Sequence, residues 1–171
     1  LLPELPALPG VLQSPPHVDD VWNHTVNVMK HLEQIFEVLL VEHDPERVNS
    51  WTLGMISVRL GRYRNQFRDH FAQTILNTER SLRSLLMMAG LYHDVAKPQT
   101  RTTDNKDLVH FYEHDAIGAD LIARRANALH LSNPEIERLR TIVRQHMRPH
   151  FMAKESEQIS RRSIYRFFQA T

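Results

Sequence analysis

The sequence predicts an all-α fold, a compact bundle of about six helices, and three observations support this prediction. Apolar residues recur at three- and four-residue steps in several segments, which is typical of amphipathic helices. Glycine is scarce, with five among 171 residues, and prolines separate the apolar segments. The hydrophobic share of 42% is sufficient for a buried core, and the length fits one domain.

The first eighteen residues differ from the rest, because five of the nine prolines lie there. Prolines this closely spaced exclude a helix. Residues 1–18 are therefore predicted to be an extended lead-in that packs on the core, and residues 19–171 a single helical domain. The sequence opens on Leu1 without a methionine, so we expect it to be a fragment of a longer chain.

Two helices are predicted in the first half of the domain. The first runs from Asp19 to about His43, where Pro45 excludes helical backbone at the residue before it. The second begins at Ser50, a favourable N-cap residue, and its apolar stripe continues to Phe71.

A third helix is predicted from about residue 79 to residue 96. Residues 82–91 are almost entirely apolar, which indicates that this helix is the central and most buried one. Pro98 should stop it. Residues 99–112 are polar and are predicted to form a loop, with a short extended piece at 107–112.

The remaining helices are predicted in the last third of the chain. One covers about residues 115–129. The next opens with a capping box formed by Ser132 and Glu135 and ends before Pro149. A last helix covers residues 160–168.

Composition excludes several classes of protein. The chain has no cysteine, so it can form neither disulfides nor thiolate metal sites, which agrees with a cytoplasmic location. The longest apolar run, residues 85–92, is far shorter than the ~20 residues of a membrane-spanning helix, and no signal peptide opens the chain. We therefore expect no membrane partner.

Charge is distributed unevenly along the chain. Residues 1–120 carry 11 basic and 16 acidic side chains, whereas residues 121–171 carry 10 basic and 4 acidic ones. The basic excess in the last part is compatible with an anionic partner such as a nucleotide or an RNA phosphate. A solvated helix face explains it equally well.

Three His-Asp dipeptides occur, and their contexts distinguish them. His43-Asp44 lies at a predicted helix end, where exposure to solvent explains it. His93-Asp94 follows the buried helix, and burying a carboxylate without a partner costs several kcal/mol. A divalent cation bound by this pair would compensate that cost; a salt bridge to an arginine is the alternative.

Further ligands must come from other helices, because neighbouring residues on a helix point ~100° apart. His24 and His146 each lie on the apolar stripe of their helix. Either one alone could be a hydrogen-bonded core histidine, but with His93 they bring three inward histidines from three helices. His114 opens a helix, where it could face the site or simply cap the helix. The position of His17 is left open. Five other histidines are predicted to lie on the surface, namely His31, His70, His110, His130 and His150.

These motifs together resemble the HD superfamily of metal-dependent phosphohydrolases. His24-Thr25 and the block from His93 to Pro98 are similar to its first two motifs, and residues 111–119 and 143–146 to the next two. The resemblance covers roughly residues 11–168. It implies an HD-domain-like bundle in which one cation is held by His24, His93 and Asp94, while His114 and His146 hold or approach a second.

The resemblance also implies a cofactor and a set of roles. The cofactor would be one or two divalent transition-metal ions (Mn, Fe, Ni, Co or Zn), with Mg as a further candidate. Asp94 and Lys97 would be catalytic, and Lys97, Arg144 and Arg148 would bind substrate. As an alternative, Lys97 complements the dipole at the end of its helix.

The N-terminal stretch indicates which subgroup of this superfamily the chain resembles. Residues 8–13, His17 and residues 19–25 are similar to HD domains attached to bacterial tRNA nucleotidyltransferases and poly(A)-polymerase-like proteins. An N-terminal nucleotidyltransferase domain would then precede this chain. The family pattern closes with an aspartate on a late helix, but no aspartate follows Asp120 here. We expect that ligand to lie beyond Thr171.

The sequence thus predicts a phosphohydrolase that cleaves a phosphomonoester or phosphodiester, in a nucleotide or at an RNA end. The alternative is a non-catalytic, RNA-binding helical domain of a nucleotidyltransferase. A signalling domain that senses a nucleotide through the same pocket is a third hypothesis.

Overall fold

The computed structural model describes residues 2–40, 50–155 and 159–170, which form a helical bundle with one short hairpin. The all-α prediction is confirmed. The α-helices of the described residues are, in chain order, α1 (Val21–Leu40), α2 (Trp51–Leu60), α3 (Arg64–Ala72), α4 (Leu82–Tyr92), α5 (Lys97–Thr100), α6 (His114–Ala128), α7 (Asn133–Gln145), α8 (Arg148–Glu155) and α9 (Arg161–Ala170). Strands β1 (Arg101–Thr103) and β2 (Val109–Phe111) pair antiparallel, with Thr102 opposite His110.

Helix α4 lies at the centre of the bundle, as its apolar sequence predicts. It contacts α1, α3, α6 and α7. Its buried side chains pack with those of α6 and α7 in one core cluster, which consists of Leu82, Leu85, Ala89, Tyr92, Val95, Ala119, Ile122, Ala126, Leu139 and Val143.

Helix α1 approaches α4 closely at Gly90. A Cβ atom at this position would lie 2.8 Å from Cδ1 of Leu32, so a larger residue would require that side chain to shift. This close approach brings the first turn of α1, which carries His24, to the end of α4, which is followed by His93.

Several helix boundaries differ from those predicted. The helix expected from Ser50 to Phe71 is interrupted by a 3-10 turn at Gly61–Tyr63. The central helix ends at Tyr92, and the next residues continue as i→i+3 turns, with the Val95 amide donating to the Tyr92 carbonyl. Pro98 does not stop this helix; it lies in the first turn of α5, where a missing N–H costs nothing.

Other differences lie in the second half of the chain. The predicted loop contains the β1–β2 hairpin rather than one extended piece. Helix α8 was not predicted, because its short segment lacks a clear apolar period. The capping box of Ser132 and Glu135 is present as predicted. The predicted helix end at His43-Asp44 and Pro45 lies outside the described residues.

The N-terminal segment packs on the bundle, with a 3-10 turn at Leu5–Ala7 where an extended chain was predicted. Leu8 is fully buried. Glu4 receives two hydrogen bonds from the Arg125 guanidinium and one from the Tyr92 hydroxyl, which ties the segment to α6 and α4. Within the described residues, no helix combines the length and the apolar character that a bilayer crossing requires.

Candidate metal centre

The five predicted metal ligands lie together where the ends of four helical segments meet. His24 comes from α1, His93 and Asp94 follow α4, His114 opens α6 and His146 follows α7. Among the described residues, their ligand atoms form two groups, each with all atoms within 4.8 Å of one another. One group is His24, His93 and Asp94, and the other is Asp94, His114 and His146.

Asp94 connects the two groups, because each of its carboxylate oxygens faces a different pair of histidines. Its Oδ2 atom lies 3.1 Å from Nε2 of His93 and 3.6 Å from Nε2 of His24. Its Oδ1 atom lies 3.5 Å from Nε2 of His114 and 3.7 Å from Nε2 of His146. One carboxylate can therefore bridge two cation positions.

Backbone carbonyls orient three of the four imidazoles in the same way. Nδ1 of His93 lies 2.7 Å from the carbonyl oxygen three residues earlier, and the distances for His114 and His146 are 2.7 and 2.6 Å. Because a carbonyl oxygen only accepts hydrogen bonds, Nδ1 must carry the hydrogen in each neutral ring. Each Nε2 then directs a lone pair into the site, which is the usual second-shell arrangement for metal-binding histidine.

The imidazole nitrogens within each group lie close enough to one another to share one cation or one hydrogen. Nε2 of His114 lies 3.2 Å from Nε2 of His146, and Nε2 of His24 lies 3.3 Å from Nε2 of His93. Burial lowers the pKa of His114, which disfavours the protonated form of that ring. When both rings are neutral with the hydrogen on Nδ1, the lone pairs of His114 and His146 face each other and repel, and a metal ion that accepts both removes the repulsion.

The Asp94 carboxylate is buried and ionised, and one of its oxygens lacks a hydrogen-bond partner among the described residues. Its residue is 2% exposed. Burial raises the pKa of Asp94, but interactions with His146, His93 and Lys97 outweigh this and hold the pKa well below its usual range. Among the described residues, Oδ2 has no hydrogen-bond partner with acceptable angles, although Nζ of Lys97 lies 2.8 Å away. A buried anion with an unsatisfied oxygen fits a cation site.

Lys97 is buried beside this carboxylate rather than exposed at a helix end. It is 6% exposed, and its Nζ atom donates a 2.7 Å hydrogen bond to Oε1 of Gln13. The ammonium also lies 5.3 Å from the centroid of the Phe111 ring, a favourable cation–π distance. Its charge is thus held at the site by three separate segments of the chain.

A small cavity opens onto the cluster. Its volume is about 160 Å³, and its lining includes His24, His93, Asp94, Lys97 and His146. Three residues that were not predicted to be functional complete the wall, namely His17, Met147 and His150. A larger groove, of about 520 Å³, lies between α1 and α2 and contains none of the clustered ligands.

The cavity wall has residues that periodicity could not identify. His17 precedes α1 in an irregular segment, and His150 is exposed on α8, so neither lies on an apolar stripe. The ring of His17 packs edge-on against that of His24, with 5.6 Å between their centroids. Gln13 contacts the site only through Lys97, a contact between residues far apart in sequence.

The two arginines predicted to bind substrate lie outside this lining. Arg144 is exposed on α7. Arg148, at the start of α8, donates a 3.4 Å hydrogen bond to the side chain of Gln145. Their role in substrate binding stays a prediction.

Comparison with known proteins agrees with this geometry. The sequence model of the HD domain matches residues 21–166. Comparison with curated proteins gives no match. The matched region contains all five clustered ligands and Lys97, whereas Gln13 and His17 precede it.

Proposed function

The chain belongs to the HD domain family, whose members are in general metal-dependent phosphohydrolases, and from this premise we propose its reaction. The protein hydrolyses a phosphomonoester or phosphodiester, in a nucleotide or at an RNA end. The proposal rests on one observation: two imidazole nitrogens lie close together on each side of Asp94. The Nε2 atoms of His114 and His146 are 3.2 Å apart, and those of His24 and His93 are 3.3 Å apart. Between neutral rings that carry their hydrogen on Nδ1, such a contact is repulsive, and a cation bound by both nitrogens relieves it.

The donor set limits which metals fit. Histidine nitrogens outnumber carboxylate oxygens in both groups, and the chain has no cysteine. Mixed nitrogen and oxygen ligation suits Mn, Fe, Ni, Co or Zn better than Ca. His24, His93 and Asp94 would hold one ion, and Asp94, His114 and His146 a second. When bound, such ions polarise phosphoryl oxygens and lower the pKa of a coordinated water.

The chain's own residues provide the remaining requirements of the reaction. The ionised Asp94 keeps both groups of ligands at a fixed separation, and the carbonyl bonds to Nδ1 hold the rings in the orientation for binding. The ammonium of Lys97 faces the cavity, where it attracts a phosphate group and stabilises the negative charge that develops on its oxygens. The buried position of Lys97 strengthens this attraction, because water screens it less.

The size of the cavity indicates how a substrate binds. A volume of about 160 Å³ admits a phosphoryl group, whereas pockets that enclose a whole drug-sized ligand measure ~300–1,000 Å³. The nucleoside or the rest of the RNA would therefore remain outside, near the rim formed by His17 and His150.

The test compares Asp94→Asn with wild-type protein purified without chelator. Asp94→Asn keeps the side-chain shape but removes the bridging charge. We expect loss of bound metal, measured by elemental analysis, and loss of phosphate release from a generic phosphoester. Asp115→Asn is the matched control, since it alters a second His-Asp dipeptide on α6 and should retain both properties. Wild-type protein that binds no added divalent metal would refute the proposal.

The rival proposal is a non-catalytic, RNA-binding domain attached to a nucleotidyltransferase. It is supported by Arg161, Arg162 and Arg166, which are all exposed on α9. Under this proposal, Asp94→Asn spares RNA binding, whereas the double substitution Arg161→Ala/Arg162→Ala weakens it and flattens its salt dependence.

A further inference from the structure

The Lys97 ammonium donates a hydrogen bond to Gln13, a residue outside the metal cluster. Metal binding does not account for this contact. The Nζ atom of Lys97 lies 2.8 Å from Oδ2 of Asp94 and 2.7 Å from Oε1 of Gln13. Oδ2 also belongs to the group with His24 and His93, so a cation there competes with the ammonium for the same oxygen. Gln13 is then the acceptor that keeps the ammonium in place.

The orientation of the Gln13 amide is fixed at both ends. Its Nε2 atom donates to the carbonyl oxygen of Asp19, at 3.3 Å, which leaves Oε1 directed at Lys97. The neighbouring Ser14 anchors this segment to the hairpin, because its Oγ atom accepts a 2.6 Å hydrogen bond from the amide of Val109. The acceptor is therefore positioned before any ligand binds.

The chemical type of this acceptor matters for an anionic substrate. A carboxylate at position 13 would neutralise the ammonium, whereas a neutral amide satisfies one N–H and leaves the positive charge available. The lysine has three N–H donors. With one bonded to Gln13 and Nζ also 2.8 Å from Oδ2 of Asp94, the ammonium still has an N–H that can bind a phosphoryl oxygen in the cavity, which Lys97 lines.

We infer that Gln13 is a positioning residue, which holds the Lys97 ammonium at the metal cluster so that it binds a phosphoryl oxygen of the substrate. The inference rests on the proposed function, since it assigns Lys97 to phosphate binding. It places part of the active site in the N-terminal segment, before the region that matches the family.

A double-mutant cycle tests the inference in metal-loaded protein. The variants are Gln13→Leu, Lys97→Met and the double substitution, with inorganic phosphate as the ligand for calorimetric titration and a generic phosphoester for kinetics. Losing a hydrogen bond to a charged group should weaken phosphate binding about tenfold in Gln13→Leu. In the Lys97→Met background the same change should have no further effect, because Gln13 acts only through Lys97.

Ser14→Ala is the matched control, because it removes a neighbouring hydrogen bond of the same segment without touching Lys97. It should lower thermal stability and leave phosphate affinity within about twofold of wild type. Wild-type affinity and turnover in Gln13→Leu, or equal losses from Gln13→Leu in both backgrounds, would overturn the inference and leave the phosphohydrolase proposal intact. Wild-type protein that neither binds phosphate nor hydrolyses the ester would overturn both.

Discussion

At the scale of single residues, Asp94 is the one member of the cluster that belongs to both ligand groups. Its two oxygens face separate histidine pairs, so its loss affects both groups, whereas loss of one histidine affects one. The imidazoles are held by local contacts, each Nδ1 of His93, His114 and His146 bonding to the carbonyl three residues earlier. These three rings are therefore each oriented by their own segment and do not depend on one another.

This independence leads to a prediction for the histidines on opposite sides of Asp94. His114→Ala should remove the second cation and retain the first, because His93 keeps its carbonyl bond and both His24 and His93 keep their share of Asp94. We expect the metal content to fall by about half, and the affinity for the lost ion to fall at least ~tenfold. Elemental analysis and a metal titration measure both.

The control for this prediction is His110→Ala. His110 pairs with Asp104 on the hairpin, outside the cluster, with 3.0 Å between Nε2 and Oδ2. Its substitution should leave the metal content unchanged. Complete loss of metal in His114→Ala would contradict two separable positions and indicate one shared site.

Residues of the site differed in how well the sequence could predict them. His24 and His146 lie on apolar stripes, and Asp94 follows a buried helix, so periodicity and the cost of burying a carboxylate identified them. Gln13 and His150 carry no such signal, since their place at the site depends on how distant segments pack. Contacts between segments that are far apart in the chain are the hardest to predict from a single sequence.

At the scale of elements, one ion pair fixes the starts of the two helices that lead into the site. Arg80 precedes α4 and donates to both carboxylate oxygens of Glu135, at 2.7 and 3.0 Å. Glu135 lies in the first turn of α7 and also accepts from the amide and hydroxyl of Ser132. Because α4 ends before His93 and α7 before His146, this pair helps to set the spacing of the two ligands.

Glu135→Gln should therefore destabilise the bundle. Gln offers one acceptor oxygen where the carboxylate offers two, and hydrogen bonds to charged groups are strong, so we expect a loss of about 2 kcal/mol in the free energy of unfolding at pH 7. Denaturant titration measures it. Glu137→Gln, on the exposed side of the same helix, is the control and should change stability by less than about 0.5 kcal/mol.

The difference in unfolding free energy between wild type and Glu135→Gln should depend on pH, because the pKa of Glu135 is shifted. The hydrogen bonds from Arg80 hold that pKa at about 2, below the ordinary value of 4.5. A lowered pKa in the folded state gives stability that is present above pH 4.5 and is lost as the pH falls towards 2. The gap between wild type and Glu135→Gln should close over this range. A gap independent of pH would exclude the charge as its cause.

Elements were predicted more reliably than their ends. The apolar run of α4 and the capping box of α7 are strong local signals, and both helices formed where expected. The break at Gly61–Tyr63 and the end of α4 at Tyr92 were missed, because the apolar pattern continues through both. Residues 92–97 instead form i→i+3 turns, and His93, Asp94 and Lys97 all line the cavity.

At the scale of the whole molecule, the N-terminal segment completes a site whose ligands come from the helical bundle. It lies before the family match at residue 21, yet Gln13 contacts Lys97 and His17 lines the cavity. One anchor of this segment lies outside the cavity lining: Glu4 bonds to Arg125 of α6 and Tyr92 of α4. Burial raises the pKa of Glu4, but the bonds from Arg125 and Tyr92 outweigh this and keep the pKa below its ordinary value.

Glu4→Gln should therefore loosen the segment and impair the site indirectly. We expect faster hydrogen exchange at the amides of Leu8 and Val11, and weaker phosphate binding, because Gln13 loses part of its support. Exchange in α7 should be unchanged. Asp120→Asn, which breaks an exposed pair with Arg140 at 3.0 Å, is the control and should affect neither property. If Glu4→Gln speeds exchange in the segment but leaves phosphate affinity intact, the site forms without this anchor, and the bundle alone positions Lys97.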